Sequence, residues 1–116
     1  MLFLCHPTCS TCAKARAFLE ARGIAFTERD IRDPNPTAEE LTNWIARSGL
    51  PVKKFFNTTG MLYRSENLKD RLPTMTDAEQ IALLATDGML VKRPLLIGDD
   101  FVLAGFREKE WMARLG

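Results

Sequence analysis

Cys9-Ser10-Thr11-Cys12 sets two thiols three residues apart, between a short apolar run, Leu2-Phe3-Leu4-Cys5, and a helical pattern. At the start of a helix, free main-chain N–H groups and the positive end of the dipole favour an anion. A thiolate is such an anion, so the position lowers a cysteine pKa and makes Cys9 the expected nucleophile. Cys12, one turn on, can close a disulfide with it. His6, three residues before Cys9, reads either as a group that orients or protonates near the thiol or as a solvated loop residue. Cys5 reads as a small core residue pointing inward. Zinc is disfavoured by ligand count: Cys9, Cys12 and His6 supply three donors, and Cys5 lies on a strand.

These thiols need a strand before them and a helix behind them. Residues 2–5 read as a short buried strand. Residues 10–22 read as a helix with Ala15, Phe18 and Leu19 on one face and Gly23 past its end. Residues 24–31 read as a second strand, and Asp33-Pro34-Asn35-Pro36 breaks the chain. Thr37 with Glu40, and Thr76 with Glu79, form two capping boxes. The first opens a helix carrying Leu41, Trp44 and Ile45 and stopped by Gly49; the second opens one through Ile81, Leu84 and Ala85. Short helical pieces, broken by Pro51, Gly60 and Pro73, fill the space between. Leu95–Ile97 and Phe101–Leu103 flank Gly98-Asp99-Asp100 as a hairpin, and a closing helix over 107–115 carries Trp111 and Leu115 as anchors.

The first two strands, joined by a helix, should be parallel. The expectation is an α/β, thioredoxin-like fold: a mixed four-stranded sheet flanked by helices, one domain over residues 1–116. A helical insertion at about 34–88 separates the second and third strands and is too long to be a loop. It should cover one end of the sheet, close to the thiols. The spacing of Cys5, Cys9 and Cys12 also fits a radical-SAM cluster, but 116 residues are too few for the barrel such enzymes use.

Composition narrows the function. An apolar fraction of 46% with 27% charged residues describes an ordinary globular chain. A net charge of +1 gives no bulk pull toward nucleic acid or membrane, and no run is long and apolar enough for a span. Lys53, Lys54, Arg64, Lys69 and Arg71 read as offset by nearby acids, not as a nucleic-acid stripe. Phe55 and Phe56 read as core. Three clustered cysteines and no signal segment point to a reducing, cytoplasmic setting.

A series of motifs resembles the arsenate reductase-like (ArsC/Spx/YffB) family. It runs Cys5-His6-Pro7-Thr8-Cys9-Ser10-Thr11-Cys12, Gly49-Leu50-Pro51, Phe55-Phe56-Asn57-Thr58-Thr59-Gly60, Tyr63-Arg64, Asn67-Leu68-Lys69 and Asp87-Gly88-Met89-Leu90-Val91-Lys92-Arg93-Pro94, then Gly105-Phe106. The resemblance covers nearly the whole chain. It implies reduction of arsenate or a related small oxyanion, with Cys9 attacking and basic residues holding the oxyanion. Arg93 matches one oxyanion-binding arginine; Arg64 and Arg107 stand as counterparts of two more. Pro94 matches the cis proline that faces the thiol. Ser10, Thr11 and His6 are the supporting residues around Cys9. No bound cofactor is implied; glutathione serves as co-substrate, and glutathione, glutaredoxin or thioredoxin as reductant.

The chain departs from the arsenate reductase pattern. Those enzymes read Cys-Gly-Thr-Ser-Arg where this one reads Cys9-Ser10-Thr11-Cys12-Ala13, so a serine is replaced by Cys12 and an arginine by Ala13, with Lys14 next door. An intramolecular disulfide becomes available and one cation of the thiol pocket is missing or displaced. The Cys-x-x-Cys form resembles that of Spx-like regulators, which use the pair as an oxidation switch and bind the RNA polymerase alpha subunit. A glutaredoxin-like reductase of protein disulfides is the third reading.

Overall fold

The computed structural model describes all 116 residues. The sheet is built from four short strands: β1 (Leu2–Cys5), β2 (Thr27–Asp30), β3 (Leu95–Ile97) and β4 (Val102–Ala104). Their order is β2-β1-β3-β4, with β1 parallel to β2 and antiparallel to β3, and β3 antiparallel to β4. The helices are α1 (Ser10–Ala21), α2 (Ala38–Ser48), α3 (Met61–Ser65), α4 (Leu68–Arg71), α5 (Asp77–Leu84) and α6 (Glu108–Leu115). This is the thioredoxin-like α/β architecture read from the sequence, and none of its helices is long and apolar enough to cross a membrane.

Both faces of the sheet are covered, which is why β1 and β3 are continuously apolar instead of alternating. Phe3, Cys5 and Leu96 point to one face and pack with Cys12, Ala15, Phe18 and Leu19 of α1 and Trp111 of α6. Leu4, Leu95 and Ile97 point to the other and pack under the helical insertion, against Leu41, Trp44, Ile45, Phe55 and Leu84 among others. The insertion therefore lies on a face of the sheet, not only over one end as expected. An insertion that buries this many apolar side chains needs the area of a face. Phe55 and Phe56 are fully within that core.

Local signals set the insertion's helices. Thr37 and Thr76 accept from the N–H of Glu40 and Glu79, whose carboxylates return to the threonine N–H groups, so both capping boxes form. Gly49 ends α2 in the left-handed conformation, φ 70°. Arg29 of β2 grips Glu40 of α2 at 2.7 and 2.9 Å, fastening the insertion to the sheet.

Two strands differ from expectation. β2 spans Thr27–Asp30 rather than 24–31, because it is an edge strand and β1 offers only four partners. Ile24 spends its N–H on the Leu19 carbonyl at the end of α1. β4 begins at Val102, since the Phe101 carbonyl accepts from Gly98 N–H and closes the turn. The segment leading to β3 is fixed from below. An added Cβ on Gly88 would come 1.8 Å from the Ile31 carbonyl oxygen, so only glycine lets this turn lie against the end of β2.

Candidate active site

Cys9 is the N-cap of α1, with extended backbone dihedrals, and its Sγ accepts from the Cys12 N–H at 3.5 Å. Partial burial works against its thiolate. The Cys12 N–H, the Cys12 thiol, the Thr11 N–H and the charge of Arg93 outweigh that, so the Cys9 thiol ends below its ordinary value. Cys12 is fully buried, packed with Phe3, Cys5 and Ala15. Burial pushes its thiol up to about 12; the His6 N–H, donating to Cys12 Sγ at 3.4 Å, pulls the other way, while Cys9 adds to the rise. The pair is thus a half-buried nucleophile with a lowered thiol above a buried thiol that holds its proton.

His6 contributes through its backbone. Its ring turns toward Thr8, whose N–H and hydroxyl lie 3.1 and 2.9 Å from Nδ1, and makes no hydrogen bond to either thiol. Partial desolvation first, then Arg32 and Arg93, hold the ring below its ordinary histidine pKa. Cys5 is a core residue with more neighbours than its strand position suggested. Its thiol donates to Glu28 at 3.2 Å and accepts from Arg16 at 3.2 Å, inside the Arg16–Glu28 ion pair. Burial, with Glu28 adding to it, raises this thiol to about 11. No group of three or more His, Cys, Asp or Glu side chains is arranged to hold a metal.

Beside Cys9 opens a cleft of about 690 Å³. Lys53, Lys54, Lys92, Arg93 and Arg107 line it, with Glu110 as the one acid. None of these five cations takes part in an ion pair. The insertion reaches the cleft through a short antiparallel bridge, Phe56 to Val91, flanked by Asn57 N–H to Leu90 carbonyl and Lys92 N–H to Phe55 carbonyl. That bridge brings Thr58 and Thr59 to the same wall as Lys92 and Arg93. The Arg93–Pro94 peptide is cis. Arg93 is half-buried, and its buried Nη1 has no hydrogen-bond partner. A positively charged donor with nothing to donate to is the strongest local sign that an anion belongs here.

Of the site residues expected from sequence, the cleft gathers Cys9, Thr11, Arg93 and Arg107; Cys12 lies beneath it, and Ser10 is exposed beside it. Arg64 does not line it. With Leu62 and Tyr63 packed on the core, Arg64 of α3 is exposed to solvent. Lys14 is likewise exposed and outside the cleft. Lys53, Lys54 and Lys92 were not expected here. For Lys53 and Lys54 the available signal was the stretch from Leu50 to Ser65, which holds no acidic residue to offset them.

The ArsC family model matches residues 4–114. The chain belongs to the ArsC family. Among ArsC relatives, the uncharacterized protein YusI of Bacillus subtilis (strain 168) is 46% identical over 111 residues, covering 96% of this chain and 94% of YusI. The global transcriptional regulator Spx of Staphylococcus epidermidis is 26% identical, over 90% of this chain and 78% of Spx. Among solved structures, an ArsC family related protein from Bacteroides fragilis superposes with a TM-score of 0.94 at 58% identity, covering 97% of this chain and 94% of that one. An arsenate reductase from Vibrio cholerae gives 0.85 at 26% identity, covering 98% and 95%. The relatives of this chain thus include a regulator and an arsenate reductase, and membership of the family does not choose between the two.

Proposed function

We propose that this chain is a thiol-dependent reductase of the arsenate reductase type. Cys9 is the nucleophile, Arg93 and Arg107 bind the oxyanion, and Cys12 is the resolving thiol. The observation that carries the reading is the buried, partnerless Nη1 of Arg93 in the cleft that also holds the lowered-pKa thiol of Cys9.

The Cys9 thiolate attacks arsenic(V), and one As–OH oxygen takes up a further proton from solvent and leaves as water. The cationic wall stabilises the oxyanion charge throughout. Bonding to arsenic removes the Cys9 negative charge, and with it one reason that Cys12 holds its proton. Cys12 then loses its proton and attacks Cys9 Sγ. The S–S bond forms, the S–As bond breaks with its electron pair left on arsenic, and arsenic(III) leaves. The Cys9–Cys12 disulfide is reduced by glutathione, directly or through glutaredoxin.

A second reading has its own support. Cys12 and Ala13 stand where arsenate reductases carry serine and arginine, and Spx is a relative. In that reading the pair is an oxidation switch controlling a grip on the RNA polymerase alpha subunit. Arsenate turnover with glutathione and glutaredoxin, run beside capture of the alpha subunit, separates them. Turnover without capture supports the reductase. Capture that depends on oxidation, without turnover, overturns it.

A further inference from the structure

The cleft beside Cys9 is bordered by the free edge of the sheet. β4 pairs with β3 alone. Within that hairpin, Gly98 N–H donates to the Phe101 carbonyl at 2.9 Å and Gly105 N–H to the Pro94 carbonyl at 2.8 Å. The alternation of an antiparallel ladder then turns the Leu103 main chain toward Leu96 and directs the N–H and C=O of Val102 and Ala104 away from β3. No loop or side chain of the protein bonds to those outward groups. Val102, Leu103, Ala104 and Gly105 line the same cleft as Cys9. Gly105, at φ +77°, leaves room for the Lys92 stem, which an added Cβ would meet at 2.9 Å.

An unpaired edge is a template for another extended strand. The cleft connects this edge, two strands from β1, with Cys9 and with unpaired cations. At about 690 Å³ the cleft is also far roomier than a single oxyanion needs. The geometry points to an extended, acidic polypeptide segment as a further substrate of the cleft, beside the oxyanion: the segment adds as a strand on β4, its carboxylates meet Lys53, Lys54, Lys92 and Arg107, and its disulfide-bonded cysteine reaches Cys9. This rests on the reading of Cys9 as a redox nucleophile and names a substrate class for it.

The exchange balances. Cys9 thiolate attacks the cysteine sulfur of the segment, and the sulfur it was bonded to leaves and takes a proton. Cys12 loses its proton and attacks Cys9 Sγ, releasing the segment's cysteine, which is protonated. The substrate disulfide gains two electrons, and the two protein thiols become a disulfide.

The test uses the reduced full-length chain and peptides whose single cysteine is disulfide-bonded to mercaptoethanol. Glutamate-flanked peptide should be reduced about tenfold faster than its lysine-flanked counterpart at low ionic strength, with the gap shrinking at about 0.5 M salt. N-methylation of one alternate set of backbone amides should slow reduction several-fold, as expected when a few main-chain hydrogen bonds are lost, while the other set has no effect. Equal rates for the two charge types, or equal effects of the two methylated sets, overturn the proposal; charge preference without set dependence means a small anionic substrate instead. Bis(2-hydroxyethyl) disulfide separates the two levels. If it is reduced no faster by the wild type than by Cys9→Ser, the redox reading itself falls. If it is reduced but the peptides are not discriminated, only the strand-addition proposal falls.

Discussion

The main-chain N–H of Cys12 points at the sulfur of Cys9 from 3.5 Å, while the thiol of Cys12 itself lies fully buried. One residue therefore plays two parts: its backbone activates the nucleophile and its side chain waits below. Because the Cys9 thiol is lowered and the other two are raised, alkylation of the reduced protein at mildly acidic pH should label Cys9 first. The Cys9 rate should rise with pH and reach its plateau below the ordinary thiol value. Mass mapping that finds Cys5 or Cys12 labelled faster removes Cys9 as the nucleophile.

The raised thiols make an alkaline prediction. Cys5 and Cys12 go from an ordinary 9.0 to about 11 and about 12 on folding. Between about pH 9 and 11 the unfolded chain has lost protons that the native protein keeps. Fewer protons are bound in the unfolded state, so these groups make stability fall as pH rises through that window. Denaturant unfolding of the reduced protein at pH 8 and pH 10 should show the loss, and Cys12→Ala should lessen the slope. Cys9, lowered in the folded state, works in the opposite sense and below that window, where ionisation favours the native protein. A Cys12→Ala variant as alkali-sensitive as the wild type would contradict the assigned burial effect.

The fold was legible where its signals are local. The capping boxes at Thr37 and Thr76 and the stops at Gly23 and Gly49 each involve residues a few positions apart, and each forms. The cleft was only half legible, because a charge count along the chain is not a charge count in space. Lys53 and Lys54 follow Pro51 in a tight turn whose direction is set by Val52 and Phe55 entering the core. Arg64 failed for the converse reason: a motif match carries no information about which way a five-residue helix faces once Leu62 and Tyr63 choose the core. The Arg16–Glu28 pair around Cys5 joins residues twelve positions apart, and no local pattern announces it.

Gly88 tests the link between insertion and site. A side chain there would collide with backbone, the Ile31 carbonyl, and backbone cannot rotate away as a side chain tip would. Gly88→Ala should cost about 3 kcal/mol, the overpacking range. Because Val91, Lys92 and Arg93 follow directly, it should also disturb the cleft. Thermal melting with Cys9 alkylation rates reads both effects, and an unchanged melt would show that the turn can move away from β2 freely.

Arg93 separates a binding group from a scaffold group. It is half-buried, yet its buried Nη1 bonds to no group of the protein, so that atom is a desolvated donor without return. Arg93→Ala should therefore leave the melting temperature unchanged or raise it. Oxyanion binding should change in the other direction: losing charge-assisted hydrogen bonds weakens arsenate or sulfate affinity by roughly 10- to 100-fold. Ligand that binds only the native state raises its melting temperature, so the wild type should gain stability with arsenate and the alanine variant should not. Arg93 is one of several causes that lower the Cys9 thiol, behind the Cys12 and Thr11 N–H groups, so the thiol should rise only part of the way to its ordinary value. Arg93→Lys keeps the charge without the planar fork, and should restore the thiol more fully than the binding. Calorimetry with arsenate, thiolate absorbance against pH and melting with and without ligand measure the three quantities. A variant that keeps arsenate affinity and the Cys9 pKa would show that Arg93 is scaffold, and would move the balance to the redox switch.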